Sequence, residues 1–417
     1  MNINKKDWNI NMREYSLDSF LGLLKNNVDC NFVALAVTPL HANAIDAAII
    51  KLRSLGIELN GYILSIAHSK TGRIISKESF HSNLTGICVI NYDANTNKHD
   101  SPIRKIKRKI EALVSFGNGN RKVYLLLTDL NERMASAIRS VYGKDTTIIF
   151  VLIEEGLGSY SPLLLRRLMW LKENSGESPK SKIFLDAVKI LILSAYDAFY
   201  VHQYIKIGQV FDYRIFDDGG IDKRGRTTFC LKRNEKIINN YIEAFRISGE
   251  DIPEEIIDQF SSALVYNPQC LLEEGLADGE IEYNIYEDVC HIAKKLEIKQ
   301  VLKPHPRDNN ALKYESLKIP ICYYKCSQEA LFAKCKNKPK CLISLFSSTL
   351  LNARLIYDIP CISLSKILLN KIYKGDITDK WGLSKILKRH ILQYSRYYDF
   401  PEDYGELENL LDKYFNP

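Results

Sequence analysis

Thr147-Ile148-Ile149-Phe150-Val151-Leu152-Ile153 runs without interruption into Glu154-Glu155-Gly156-Leu157-Gly158. The apolar part has the length and β-branched content of a strand, and the acidic, glycine-containing part is where such a strand has to turn. Working outward, short apolar runs recur at Phe32–Val37, Tyr62–Ile66, Gly86–Asn91 and Lys122–Thr128, with helical patterns such as Asn43–Leu55 and Asn131–Val141 between them. Strands alternating with helices are the rhythm of a parallel α/β sheet. The rhythm returns at Ala263–Tyr266, Gln300–Lys303, Ile319–Tyr324, Cys341–Leu345 and Pro360–Leu364, with helices at Tyr283–Leu296 and Leu350–Tyr357. Two doubly wound, Rossmann-like domains follow. A polar helix and then Ser248-Gly249-Glu250-Asp251-Ile252-Pro253 form the expected linker, which places the domains at residues 1–250 and 251–417, the second ending in a helix over Leu407–Phe415.

Composition narrows the function classes. With 46% hydrophobic and 26% charged residues the chain is an ordinary globular protein, not a disordered tail or a fibrous repeat. The longest apolar stretch, Ile183 to Val201, is broken by Asp186, Lys189 and Asp197, so no transmembrane helix is expected. The first sixteen residues lack an apolar core, so no secretory signal is expected and the chain should stay in the compartment where it is made. The ten cysteines then read as reduced thiols, most of them small core residues. The spacings of Cys322, Cys326, Cys335 and Cys341 match no zinc-ribbon pattern, and the histidines form no HExxH, so no metal site is expected.

The excess of 57 basic over 50 acidic residues gives +7, a mild bias that suits an anionic partner but not a dedicated nucleic-acid binder. Ile103-Arg104-Lys105-Ile106-Lys107-Arg108-Lys109-Ile110 reads as an amphipathic helix, either a solvated surface helix or a contact with an anionic membrane or polyanionic substrate. Lys334–Lys340 reads as a basic loop. GxGxxG and GxxxxGK[ST] are absent, which argues against a dinucleotide oxidoreductase and a P-loop NTPase.

In open α/β sheets ligands bind at the carboxyl ends of strands, and three motifs stand there. After the strand ending at Ile153, Glu154-Glu155-Gly156 offers carboxylates fit for a general base, on a turn that lets a substrate come close; a solvated charged turn would look the same. After Lys303, Pro304-His305-Pro306-Arg307 presents an imidazole between prolines in a cationic setting, suited to an anionic leaving group or simply to a rigid loop. After Leu345, Ser347-Ser348-Thr349 opens a helix with hydroxyls that can bind phosphate or act as caps.

In this order the three motifs resemble those of the bacterial sialyltransferase superfamily, most closely its capsular polysialyltransferase and lipooligosaccharide sialyltransferase relatives. IEEGLGSY, LKPHPRD and the opening Thr38-Pro39-Leu40-His41 are similar to that group's versions. The resemblance implies a GT-B architecture, with two Rossmann-like domains facing across a cleft: an acceptor-side N-terminal domain carrying the base and a CMP-donor-binding C-terminal domain. It implies inverting transfer of sialic acid from CMP-sialic acid to a hydroxyl of a bacterial surface glycan (capsule, lipooligosaccharide or O-antigen, including polysialic acid), without a metal or other cofactor. Glu155 would be the base, His305 would assist departure of CMP, and Ser347 and Ser348 would hold its phosphate. Glu154, Gly156, His41, Asn267, Gln269, Pro306 and Thr349 would contact substrate. Phe216-Asp217-Asp218-Gly219 also fits the acidic pattern, and Asp218 is kept as reserve base because it lies much closer in sequence to His305 and outside the strand rhythm. The implied setting is the bacterial cytoplasm, with peripheral contact to the inner membrane or to a polysaccharide assembly complex as a further expectation, and no nucleic acid.

Two other readings stay open. One keeps the fold and uses another nucleotide sugar, or acts as a CDP-polyol phosphotransferase of wall-polymer synthesis. The other is a non-enzymatic two-lobed binding or assembly protein.

Overall fold

In the computed structural model the described residues are 14–67, 75–93, 120–127, 132–143, 145–154, 179, 181–192, 210–217, 232–269, 271, 279–305, 308, 311–324, 326–379 and 382–416. The chain divides into two compact units, Met1–Ala244 and Phe245–Pro417.

In the first unit, β1 (Phe32–Ala36), β2 (Gly61–Ile66), β3 (Ile87–Tyr92), β4 (Arg121–Leu127), β5 (Thr146–Leu152) and β6 (Val210–Asp212) form one sheet. Its order is β3-β2-β1-β4-β5-β6 and every pairing is parallel. The chain winds outward from β1 on one side and returns to β4 on the other, so the switch of direction lies between β1 and β4. β5 is buried at every position, which explains its unbroken Thr-Thr-Ile-Ile-Phe-Val-Leu sequence: a strand covered on both faces has no polar side to show. Helices α1 (Leu17–Asn26), α2 (Pro39–Ser54) and α3 (Glu132–Tyr142) belong to this unit. Phe20 of α1 meets Tyr62 edge-on at 5.8 Å within a core that includes Val33, Leu64, Val123, Leu125 and Phe150. Each such side chain withdrawn from water contributes roughly 1.5–3 kcal/mol. α2 starts where the Thr38 hydroxyl accepts the His41 N–H and Pro39 takes the first helical position, where a missing N–H costs nothing. β7 (Phe216–Asp217) and β8 (Lys232–Arg233) pair antiparallel, and α4 (Ile238–Ser248) runs across the division between units.

The second unit contains β9 (Leu264–Tyr266), β10 (Gln300–Leu302), β11 (Cys341–Ser344) and β12 (Cys361–Ser363), all parallel in the order β10-β9-β11-β12. Its switch point therefore lies between β9 and β11. Around the sheet stand α5 (Glu254–Phe260), α6 (Gly279–Lys295), α7 (Gln328–Lys334), α8 (Ser348–Tyr357), α9 (Ser365–Tyr373), α10 (Leu383–Tyr394) and α11 (Tyr404–Phe415). Leu264, Tyr266, Tyr286, Ile343, Leu368, Leu387, Leu407 and Leu411 lie in one core.

The α/β class and the parallel strand rhythm are as the sequence leads one to expect. One expected strand is reduced to a single contact: Ile321 alone bridges to Leu302. Pro320 has no N–H to give to a ladder, and beyond Cys322 the Tyr324 carbonyl is taken by the Lys303 ammonium at 2.9 Å. Six thiols, Cys30, Cys290, Cys322, Cys335, Cys341 and Cys361, are buried and free, as expected of small core residues. The basic segment after α7 is a loop, as read, with Lys338 turned back onto the Cys335 carbonyl at 2.7 Å. The expected helix over Ile103–Ile110 lies outside the described residues. Among the described residues no helix is long and apolar enough to cross a membrane.

Candidate functional site

Three neighbouring strands of the second unit end on one edge, and each delivers a residue singled out from the sequence. Beyond β9, Asn267 donates its backbone N–H to Ile343 of β11 at 3.0 Å, and its carbonyl accepts from the Ser344 hydroxyl at 2.6 Å and the Tyr286 hydroxyl at 3.2 Å. Its side-chain amide reaches the Ser347 hydroxyl at 3.1 Å. This joins the ends of β9 and β11 at the sheet's switch point, where a crevice for ligand is expected in such sheets.

Ser347 caps α8: its oxygen accepts the Thr349 N–H at 3.2 Å and lies 3.1 Å from the Thr349 hydroxyl. Ser347 is buried, whereas Ser348 is exposed and Thr349 half-buried. α8 has ten residues and no acidic side chain in its first turn, so the positive end of its dipole is not neutralised locally.

Beyond β10, Lys303 is buried, with its N–H on the Tyr266 carbonyl at 3.0 Å. His305 follows, half-buried, and its carbonyl accepts the Asp308 N–H at 2.9 Å. Asp308 in turn lies 3.4 Å from the Lys313 ammonium with its side chain shut off from solvent. Pro306 lies outside the described residues.

Gln269 is held by its backbone rather than its side chain. Glu282, buried in the first turn of α6, accepts the N–H of Gln269 at 2.5 Å and that of Leu271 at 3.2 Å. Burial pushes the Glu282 carboxyl above its usual range, and the two N–H bonds work against that rise. The sequence reading missed Glu282. Its only local signal is an acidic residue in a helix's first turn, which serves equally as an unremarkable dipole partner.

In the first unit, the carboxyl edge carries two of the expected residues. Glu154, 1% exposed, follows β5 and accepts the Ile215 N–H at 3.0 Å, tying the end of β5 to the segment after β6. Beside that segment Arg214, fully buried, pairs with Asp212 through contacts of 2.8 and 2.6 Å. His41, two strands along the same edge, is buried at 4% exposure; its Nδ1 accepts the Val37 N–H at 3.1 Å and its Nε2 finds no partner. Burial lowers its pKa to about 4, so the ring is neutral and carries its proton on Nε2. Glu155, Gly156 and Asp218 lie outside the described residues. Thus Asn267, Ser347 and Thr349 are brought into direct contact, with His305 at the neighbouring strand end, while Glu154 and His41 share the edge of the other unit's sheet. Among the described residues no group of three or more His, Cys, Asp or Glu side chains is placed to hold a metal ion.

The second unit thus places hydroxyls at a helix start beside its sheet's switch point and an imidazole two strands along the same edge. The profile of the alpha-2,8-polysialyltransferase (POLYST) family matches residues 34–366, and the chain belongs to that family. It is therefore a glycosyltransferase of the sialyltransferase kind. No curated protein sequence matches it. Among solved structures it is similar to the UDP-GlcNAc 2-epimerase of Methanocaldococcus jannaschii, at 12% identity over 93% of each chain with a TM-score of 0.41. It is also similar to an alpha/beta-galactoside alpha-2,3-sialyltransferase of Photobacterium phosphoreum, at 15% identity over 76% of this chain and 86% of that one, TM-score 0.40. The wall teichoic acid polymerase TagF is similar at 10% identity over 96% and 93%, TM-score 0.38.

Proposed function

We propose that the protein is an inverting, metal-independent sialyltransferase that moves sialic acid from CMP-sialic acid to a hydroxyl of a bacterial surface glycan, including a growing sialic acid polymer. The observation that carries this reading is the convergence of Asn267, Ser347 and Thr349 at the switch point of the second unit, in a chain of the polysialyltransferase family. The two units take the GT-B roles, the first binding the acceptor and the second the donor. The setting is the cytoplasm, at the inner face of the membrane or beside a polysaccharide assembly.

In the reaction Glu155 takes the proton of the acceptor hydroxyl as that oxygen attacks the anomeric carbon of sialic acid. The bond from that carbon to the phosphate oxygen breaks on the opposite face, and its electron pair leaves on CMP. His305 donates a hydrogen bond or its proton to the departing phosphate, which the start of α8 receives with hydroxyls, N–H groups and the helix dipole. A monophosphate leaving group carries less charge than a pyrophosphate, so these groups suffice without a divalent cation. Pro306 holds the His305 loop, Gly156 lets the acceptor approach Glu155, and Glu154 anchors the strand end that presents it. Asn267 and Gln269 belong to the donor loop, His41 to the acceptor side.

The test is CMP release from CMP-sialic acid with a sialylated or galactose-ended acceptor, with and without EDTA. Release is expected to ignore EDTA, to fall at least about 100-fold in Glu155→Gln and in His305→Ala, and to persist in Asp218→Asn. Loss in Asp218→Asn with activity kept in Glu155→Gln moves the base to Asp218. No CMP from any acceptor overturns the donor.

A further inference from the structure

We infer that Lys313 is a positioning residue for the transfer: its one ammonium serves two buried carboxylates, Asp308 at the end of the His305 turn and Glu282 holding the Gln269 loop, and so keeps the two loops in register. The role in transfer rests on the donor reading above. Lys313 lies on the 3₁₀ helix Ala311–Leu317. That helix is fixed against α6 at two places: the Ser316 and Tyr283 hydroxyls lie 2.8 Å apart, and the Lys294 ammonium donates to the Leu317 carbonyl at 2.8 Å. α6 carries Glu282, so α6 and the 3₁₀ helix form one body that reaches both loops.

On one side, the His305 carbonyl accepts the Asp308 N–H at 2.9 Å, the i to i + 3 bond of a turn. The Asp308 side chain is 0% exposed and lies 3.4 Å from the Lys313 ammonium, whose side chain is 14% exposed. On the other side, Glu282 is 1% exposed and accepts the Gln269 and Leu271 N–H groups. Burial pushes its carboxyl up and those two bonds pull it back; after them, the Lys313 charge lowers it and the Asp308 charge raises it. The three groups therefore act on one another. Removing one partner of a buried ion pair costs more than the pair contributes, because the other charge stays behind. Without Lys313, Asp308 and Glu282 repel each other across the two loops, and His305, at the far end of the Asp308 turn, moves with it.

The experiment measures kcat, KM for CMP-sialic acid and for acceptor, and hydrogen exchange at the Gln269, Leu271 and Asp308 amides of the ligand-free protein. The variants are Lys313→Arg, Lys313→Met, Asp308→Asn and the Lys313→Met/Asp308→Asn pair. Lys313→Met is expected to lower kcat about tenfold or more, to raise KM for CMP-sialic acid, to leave KM for acceptor unchanged and to quicken exchange at all three amides. Lys313→Arg, which keeps the charge, is expected to restore every readout. The pair, which removes the repulsion along with the cation, is expected to be more active than Lys313→Met alone. If Lys313→Met does not fold, Asp308→Asn carries the test, with faster exchange at Asp308 and a lower kcat. Unchanged exchange and kcat in Lys313→Met overturn the clamp, as does a pair less active than the single variant or a Lys313→Arg protein as poor as Lys313→Met. A wild type that turns over no CMP-sialic acid, while the three amides still respond together to Lys313→Met, overturns the donor reading and the role in transfer with it.

Discussion

His41 and His390 are neutral rings held in places where a proton is expensive. Burial lowers the pKa of His41 to about 4 and that of His390 to about 3, from an ordinary value of 6.5. His390 is packed between Phe346, Tyr394, Tyr398 and Phe400, with its Nε2 unpartnered. The unfolded chain binds protons at both rings below pH 6.5, and the folded chain refuses them until about pH 4. Stability therefore falls as the pH drops through that window, by up to about 1.4 kcal/mol per pH unit for each histidine. Thermal melting is expected to move down between pH 7 and pH 5, and His390→Phe, which keeps the ring packing and removes the titration, is expected to melt with a shallower acid slope. Equal slopes in the two proteins would place the acid sensitivity elsewhere.

At the scale of elements, β1 and β2 are set so closely that their contact admits no side chain at Gly61. A Cβ there would stand 1.8 Å from the Phe32 carbonyl oxygen, its partner in register. Gly61→Ala is expected to cost about 3 kcal/mol or more in chemical denaturation, because backbone rather than a flexible side chain must move. Gly22 is the counterpart: it lies exposed inside α1 with nothing within 4 Å of a Cβ, so Gly22→Ala should stabilise the protein by about 0.5–1 kcal/mol. A Gly61→Ala protein as stable as wild type would mean the first sheet is less tightly paired than its geometry states. The strands that were legible in the sequence, β1 to β5 and β9 to β12, are those that contain a short, mostly apolar run. β6, β7 and β8 were not, since no bounded apolar run marks Val210–Asp212, Phe216–Asp217 or Lys232–Arg233, and the stretch around Pro320 reads as a strand although Pro320 offers only its carbonyl, to the Leu302 N–H at 3.0 Å, and no N–H. The candidate site divides in the same way. Ser347-Ser348-Thr349 is a local pattern, visible because a helix start demands it. Glu282, buried against the N–H groups of Gln269 and Leu271, and Asn267, pointing to Ser347 from another strand, acquire their roles only when the sheet is assembled.

For the whole molecule, the two units pose the same question, because each is a parallel sheet with one switch point and residues of the proposed chemistry beside it. In the first unit the switch lies between β1 and β4, next to Thr38 and His41; in the second it lies between β9 and β11, next to Asn267 and Ser347. What separates them is the chemistry at the edge. The first unit presents a buried carboxylate at Glu154 and a neutral, buried imidazole at His41, poor company for a phosphate. The second presents hydroxyls and a helix start without a local acid. Hydrogen exchange in the presence of CMP alone should therefore slow at Asn267–Gln269, Lys303–His305 and Ser347–Asn352, and leave Val37–His41 and β5 unchanged. A sialylated oligosaccharide added afterwards should slow exchange at Val37–His41. Its effect should weaken as salt rises, because an anionic chain is drawn by a net charge of +7 that salt screens. Protection by CMP at Val37–His41 with none at Ser347–Asn352 would exchange the donor and acceptor roles of the two units.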